Sequence, residues 1–329
     1  MKVDDIRPAS VLVGQRAAMQ ADIDWLAKRQ AAFVIVNCPA CAAKDFENLY
    51  EKYCMQQVRC RECETQFINP RPSEEILAAF YAQSANYAYW ARNIFPASKE
   101  ARREKIFQPR AAYAAGLVRK AGIRNGVLVE VGAAYGQFCS EVVKTGVFSR
   151  VIAIEPTPDL AGVCRGLGIE VLESPYESVL FDTPVDFIAS FEVIEHLFDP
   201  GAFMAWCHDA LRPGGMVLLT CPNIAGFETL LLGRASGAVD HEHMNLFTPQ
   251  SLAQLAERCG FIEIEVTTPG ELDVDLVQRA LKAGEIGKTD LGPLVIRLVE
   301  GANPKHLQSL IQEASLSSNM RMIARKPKS

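Results

Sequence analysis

Four cysteines carry the first chemistry visible in this chain. Cys38-Pro-Ala-Cys41 and Cys60-Arg-Glu-Cys63 are two CxxC pairs separated by 18 residues. Each knuckle aims two thiolates at one point, and two knuckles surround one tetrahedral ion; soft thiolates favour zinc. Four protein ligands leave no open coordination position, so the expected role is structural. Cys54, between the pairs, reads as a substitute ligand or a core residue. Cys139, Cys164, Cys207, Cys221 and Cys259 stand in apolar settings and read as packing.

A second group can move a proton. The chain has five histidines. Two flank an acid in His241-Glu242-His243, which follows the polar stretch GRASGAVD and precedes Asn245-Leu-Phe247-Thr-Pro. Imidazole is the usual base near neutral pH. A third group is a turn. In VLVEVGAAYGQF (127–138) an apolar run ends in Glu130-Val131 and passes through Gly132, Ala133, Ala134, Tyr135 and Gly136 into a new periodic segment. A buried parallel strand hands over to a helix in this way in nucleotide-binding α/β domains. Glu155 closes the next strand 19 residues after Gly136, where a carboxylate can accept from two ribose hydroxyls.

The elements that must position these groups follow from periodicity. Residues 1–32 read as an N-terminal helical arm, 33–70 as the metal-binding module, and 71–115 as a helical, aromatic connector. Ser73 has the character of a helix cap, with acids in the first turn behind it. The remainder, 116–329, alternates strands at 127–131, 151–155, 169–172, 185–190, 216–221 and 261–267 with helices between them. A helix at 200–211 stops at RPGG, a late helix spans 249–259, and a last strand lies at 319–326. About 268–318 forms a mostly helical insertion. This alternation predicts an α/β fold, a doubly wound, mostly parallel sheet of seven strands with a small zinc-ribbon-like module in front. The runs FVIV (33–36) and MVLLT (216–220) have the length of buried strands.

Composition sets bounds. The chain is 49% hydrophobic and 22% charged, with a net charge of -5. That is ordinary for a soluble globular protein and unlike a protein that grips a phosphate backbone. ARREKIFQPR (101–110) is the best local basic patch and reads as a solvated helix face. MKVDDIRPAS has acids and a proline where a signal peptide needs a basic, then apolar, run. No segment approaches the roughly 18 apolar residues of a membrane span. The expected location is the cytoplasm.

VEVGAAYG, AIEP, SFEVIEHLFDP and LRPGGMVLLTCPN, in that order over about 115–270, resemble the class I methyltransferase fold that uses S-adenosylmethionine (SAM). That resemblance implies SAM as the methyl donor. Glu130 and Gly132 to Gly136 would surround its methionine part, and Glu155-Pro156 its ribose. Pro175-Tyr176 would lie beside the adenine, and Phe191-Glu192 beside the methionine end. Ala134 departs from the family pattern, in which the middle residue is glycine, and Pro175 stands where many relatives have an aspartate. FYAQSANYAYW (80–90) is a candidate lid, with Tyr81 and Tyr87 as stacking or acceptor-site residues.

The EHxxxF core around Glu242 and His243 resembles a motif of zinc-bearing sugar methyltransferases of bacterial glycan pathways. There the histidine matching His243 is the proposed base; His241 is its local competitor, and His196 a third candidate. The larger C-terminal domain of those enzymes is missing or replaced here by the 268–318 insertion. Glu192-x-x-Glu195-His196 also resembles a divalent-metal site of some ubiquinone-pathway and small-RNA methyltransferases, which makes Mg2+ with His241 or His243 an alternative. The expected acceptor is a nucleotide-linked sugar or glycan precursor, methylated on oxygen or carbon. An RNA methyltransferase and a non-catalytic SAM-binding scaffold are the alternatives. The N-terminal arm and the insertion are candidates for a homodimer contact.

Overall fold

A computed structural model describes residues 1–328. Its strands are β1 (Phe46–Lys52), β2 (Met55–Cys60), β3 (Gln66–Ile68), β4 (Gly126–Val131), β5 (Phe148–Ile154), β6 (Glu170–Leu172), β7 (Val185–Phe191), β8 (Leu211–Pro222), β9 (Asn245–Leu246), β10 (Ile262–Thr267) and β11 (Asn319–Arg325). Seven of them form one sheet in the order β10-β11-β8-β7-β4-β5-β6. β8, β7, β4, β5 and β6 run parallel, and β11 is antiparallel to both β8 and β10. Strands buried on both faces read as near-continuous apolar runs; at the centre Val185–Phe191 is interrupted by Asp186 and Ser190, and Met216–Cys221 by Thr220. The alternation in the sequence therefore gives the sheet strand for strand.

The other four strands form a separate antiparallel sheet, β1-β2-β3-β9. β1 and β2 are a hairpin closed by Tyr53 and Cys54, both with positive φ (55° and 61°), the conformation that a two-residue loop needs to match strand twist. β3 then pairs with β9, Gln66 with Leu246 and Phe67 with Asn245. β9 belongs to the histidine segment, so the module near the N-terminus is welded to a loop almost two hundred residues later. That pairing has no local signal in the sequence.

Three sequence expectations are corrected. FVIV forms no strand: only Val34 pairs, in a single bridge with Arg71, and Ile35 is 79% exposed. Cys54 is exposed at the hairpin tip, neither core nor ligand. The stretch 101–110 is not one solvated face; Arg102 and Arg110 turn inward.

Helix Ala9–Ala27 of the arm packs on helix Ala85–Tyr89 of the connector. The buried carboxylate of Asp22 joins them, accepting from Ser84 Oγ at 2.6 Å and from the backbone N–H of Ala85 and Asn86 at 2.8 and 2.9 Å. It thereby satisfies donors that a helix start leaves free. The first residues of the arm meet the insertion: the Val3 N–H donates to Asp275, and Arg279 pairs with Asp4 at 2.5 Å. The insertion comprises helices Asp273–Ala283, Lys288–Gly301 and Pro304–Glu313. Among the described residues no helix is long and apolar enough to cross a membrane.

Candidate active site

The Gly132–Gly136 turn and Glu155 stand at the C-terminal ends of β4 and β5. Gly132 and Gly136 have positive φ (74° and 63°), which glycine adopts without strain. Close approach also matters. A Cβ on Gly132 would meet Val193 at 2.6 Å, and one on Gly136 would meet Ile169 at 2.8 Å. Ala134 also has positive φ (47°), which costs a non-glycine residue on the order of 1 kcal/mol. Glu155 offsets that cost: it is 3% exposed and accepts the Ala134 N–H at 2.8 Å and the Thr157 N–H at 2.9 Å. Ala133 packs beneath the turn against Cys139 and Cys164. Glu130 is buried and pushed up to about 8 by desolvation, with the Cys139 thiol donating to it at 3.0 Å.

The connector covers this turn. The Tyr135 hydroxyl donates to the Ala91 carbonyl, and its ring lies 5.2 Å from Phe95. Burial, first, and the nearby Glu155 push the Tyr87 phenol well up. Tyr81 sits elsewhere, with its ring centroid 6.4 Å from that of His196 and its buried hydroxyl without a partner, so it belongs with the histidines rather than the turn. Tyr176 is a core residue, 5.0 and 5.4 Å from Phe203 and Trp206. Of the pair expected beside adenine, only Pro175 is exposed; Pro156, next to Glu155, is exposed too.

At the end of β7, Phe191 packs at 4.7 Å on Phe138, and Arg110 lies 4.4 Å over its other side. Glu192, with a positive φ of 57°, is held by Thr220 Oγ1 at 2.6 Å, Arg110 at 3.3 Å and Asn319 at 3.2 Å. Though it ends a central strand, its side chain is 40% accessible, so it lines an open recess. Sequence reading missed Arg110, Thr220 and Asn319; each sits on a different element, and none lies in a motif.

His196 and His243 stand together, ring centroids 4.7 Å apart. His243 Nδ1 donates to the Ala238 carbonyl at 2.8 Å, and His196 Nδ1 to that of Glu242 at 3.2 Å. A backbone acceptor at Nδ1 fixes the tautomer and leaves a lone pair on each Nε2. Burial, then the neighbouring His243, pushes His196 down to about 3, so this ring is neutral. Glu195 is fully buried, both its oxygens lack a partner, and desolvation holds its pKa well above the usual carboxylate range. Ligand atoms of Glu195, His196 and His243 lie within 4.8 Å of one another.

His241 and Glu242 do not join this group. His241 is 1% exposed, walled by Phe80 and Tyr53, and its Nε2 lies 3.4 Å from Glu242 and 3.9 Å from Asp22. Asn86 Nδ2 donates to Glu242 at 2.6 Å. Both side chains clamp the arm and connector to the loop; only the Glu242 carbonyl serves His196. The expectation that they act in catalysis is corrected on that geometry.

The cysteine knuckles are alike in backbone as well as sequence. Ala42 and Glu64, each just after a second cysteine, have positive φ and donate to the Cys38 and Cys60 carbonyls at 2.9 and 3.1 Å. The four sulfurs lie within 4.8 Å of one another, with Cys38–Cys63 at 3.4 Å and Cys41–Cys60 at 3.5 Å. Beyond β3–β9, the module grips the histidine loop through Lys52, which donates to Ser236 O at 3.1 Å, and through buried Arg71, which donates to Asn245 Oδ1 at 3.0 Å and Met244 O at 3.3 Å. Asn245 Nδ2 in turn donates to Leu197 O at 2.8 Å.

A family model described as a methyltransferase domain matches residues 99–266. The chain belongs to that family. Its fold is that of class I methyltransferases: the structure of the plantazolicin methyltransferase with a desmethyl analogue and S-adenosylhomocysteine aligns over 76% of this chain and 93% of its own, at 10% identity and a TM-score of 0.50. A probable SAM-dependent methyltransferase of Mycolicibacterium smegmatis is 37% identical over 28% of this chain. A ubiquinone biosynthesis O-methyltransferase of Dinoroseobacter shibae is 32% identical over 33% of it. These matches span 34% and 48% of the two relatives' own lengths.

Proposed function

We propose that this methyltransferase transfers the methyl group of SAM to a hydroxyl of a small polar acceptor, a nucleotide-linked sugar or glycan precursor. The observation that carries the reading is His243, whose Nδ1 donates to the Ala238 carbonyl at 2.8 Å so that Nε2 keeps its lone pair, with the His196 ring 4.7 Å away. In this reading His243 Nε2 takes the hydroxyl proton as the oxygen attacks the methyl carbon in line and the carbon–sulfur bond breaks, leaving S-adenosylhomocysteine. Neutral His196 beside it keeps a second positive charge away from the base. Glu155 would hold the donor's ribose and the Gly132–Gly136 turn its methionine end, with Tyr87 over them. Names among the relatives favour oxygen as the methylated atom.

The four cysteines suit Zn2+. Bonds of about 2.3 Å to a tetrahedral ion put sulfurs about 3.8 Å apart, near the separations found. The ion would stiffen the sheet that carries β9, and so the height of His243.

A second reading is favoured by the unpartnered Glu195 carboxyl. With the two Nε2 atoms it would hold a divalent cation, which lowers the pKa of a bound hydroxyl. A mixed imidazole–carboxylate set suits a transition ion ahead of Mg2+. Labelled SAM with nucleotide-sugar and polyphenol pools tests both readings. Transfer that survives chelation of weakly bound ions but falls about 100-fold or more in His243→Ala supports the base. Transfer lost on chelation and restored by Mn2+ supports the cation. Undiminished transfer by His243→Ala removes that residue from either role.

A further inference from the structure

The basic stretch 101–110 divides in two. Arg103 and Lys105 face outward, pairing with Glu100 and, at 2.6 Å, with Asp5. Arg102 faces inward, donating to Ile6 O at 3.0 Å and Ser98 Oγ at 2.9 Å. The arm brings Arg7 to the same wall. The two guanidinium groups lie 5.2 Å (Arg7) and 5.7 Å (Arg102) from the ring centre of Trp90, with Phe95 4.8 Å from Arg102.

Arg7 is accessible to solvent, yet burial lowers its pKa while Asp240, Glu192 and Glu228 act on it. A side chain both wet and walled by protein lines a recess. Arg102 falls to about 10, through burial first and then the like charges of Arg7 and Arg110. Gathering like charges costs free energy, and among the described residues the Arg7 guanidinium makes no hydrogen bond that would repay it and no carboxylate pairs with Arg7 or Arg102. The acids nearby are engaged elsewhere. Glu192 is taken by Thr220, Arg110 and Asn319. Asp240 accepts the N–H groups of Glu242 and His243 at 2.8 and 2.7 Å. Glu228 accepts from Ser236 at 3.1 Å and is held up to about 7 by burial. The Arg7 fork, with the Nη1 of Arg102 that neither Ile6 nor Ser98 takes, stands beside an aromatic plane and suits the oxygens of a phosphate.

We propose that Arg7 and Arg102, set against Trp90, form an anion subsite in the acceptor recess that takes the phosphate or diphosphate of a phosphorylated acceptor. This rests on the methyltransferase reading of the same recess. Arg110, tied to Glu192 beside Phe191, stays with the donor. Asp240 links the subsite to the base, acting on Arg7 and standing 3.6 Å from His243. An acceptor anchored by its phosphate thus presents its other end to the imidazole.

Calorimetric titration of the full chain with pyrophosphate, UDP and S-adenosylhomocysteine tests this, comparing wild type with Arg7→Ala and Arg7→Lys. Arg7 is exposed and overlies Trp90, so melting curves of both variants set beside wild type separate loss of binding from loss of fold. Pyrophosphate and UDP should bind wild type saturably and Arg7→Ala about 10-fold or more weakly, with S-adenosylhomocysteine affinity kept within about two-fold. Arg7→Lys should recover part of the loss, keeping charge without the fork. Wild type that binds neither phosphate probe overturns the subsite. So does an Arg7→Ala variant that binds them equally well, or one that loses S-adenosylhomocysteine in parallel, which would assign the arginine to the donor's carboxylate. Arg7-dependent pyrophosphate binding without methylation of any acceptor would sink the transferase reading and keep the subsite. Methylation of neutral acceptors without pyrophosphate binding would do the reverse.

Discussion

The two halves of the recess are assembled in opposite ways. In the proposed reading the centre of the donor half, the Gly132–Gly136 turn and Glu155, comes from one run of chain: β4, its turn, β5 and the acid that follows, all within residues 126–157. The acceptor half is gathered from the arm, the cysteine module, the connector, the end of β7 and the loop before β9. Local assembly ties the donor half to the main sheet. Long-range assembly makes the acceptor half conditional on docking of distant segments, each contributing one or two side chains.

If that contrast is right, disturbing the remote supports should remove acceptor chemistry before donor binding. The largest effect is expected from the cysteines. Cys60→Ser, or metal stripping under denaturant-free conditions, should abolish methyl transfer while S-adenosylhomocysteine still binds, because a lost structural site costs several kcal/mol locally. Equal loss of both would break the comparison. Asp22→Ala removes three hydrogen bonds and one partner of a buried pair, and should lower stability by about 3 kcal/mol in urea titration. Amide exchange should rise first in residues 80–90 and 238–246.

A smaller effect should come from pH. Burial opposes charge on His241, but Asp22, Glu242 and Asp240 outweigh it, so its pKa is raised above 6.5. A raised pKa means that its contribution is complete below pH 6.5 and lost as pH climbs through the folded value. The melting temperature should therefore fall on going from pH 6 to beyond that value, and His241→Gln should flatten the fall. A fall of equal size in the variant would show that another group is responsible. The smallest effect belongs to the donor half. Ala134→Gly relieves a positive φ and should raise stability by about 0.5–1 kcal/mol, with no change in acceptor kinetics.

The same contrast explains what the sequence could tell. The seven-stranded sheet and the donor turn were legible because periodicity, small residues and the acid at 155 lie close together in the chain. The CxxC pairs were legible because their chemistry is encoded by spacing. Within His241-Glu242-His243 the two imidazoles looked equivalent; what separates them is Asp22, Phe80 and Tyr53, none of them near in sequence. Tyr81 and Tyr87 likewise looked alike, six residues apart on one aromatic stretch, yet one lies against His196 and the other near Glu155. The inward turn of Arg102 and Arg110 depends on Trp90, Ile6 and Phe191, again distant. FVIV failed for a converse reason: an apolar run forms a strand only where a neighbour offers an edge, and here Asn69 takes the Val36 N–H instead.

The acceptor loop and the helical insertion leave and rejoin the main sheet at one place. The Asn223 N–H donates to Ser318 O at 2.9 Å, that of Phe227 to Leu316 O at 2.6 Å, and that of Ile224 to Phe247 O at 3.0 Å. Leu232 of the loop packs with Val277, Ala280 and Val299 of the insertion. Residues 224–247 and 268–318 are therefore two strips of a single transplantable cassette. Exchanging either alone would tear a shared apolar seam, whereas exchanging both between related chains would keep it whole.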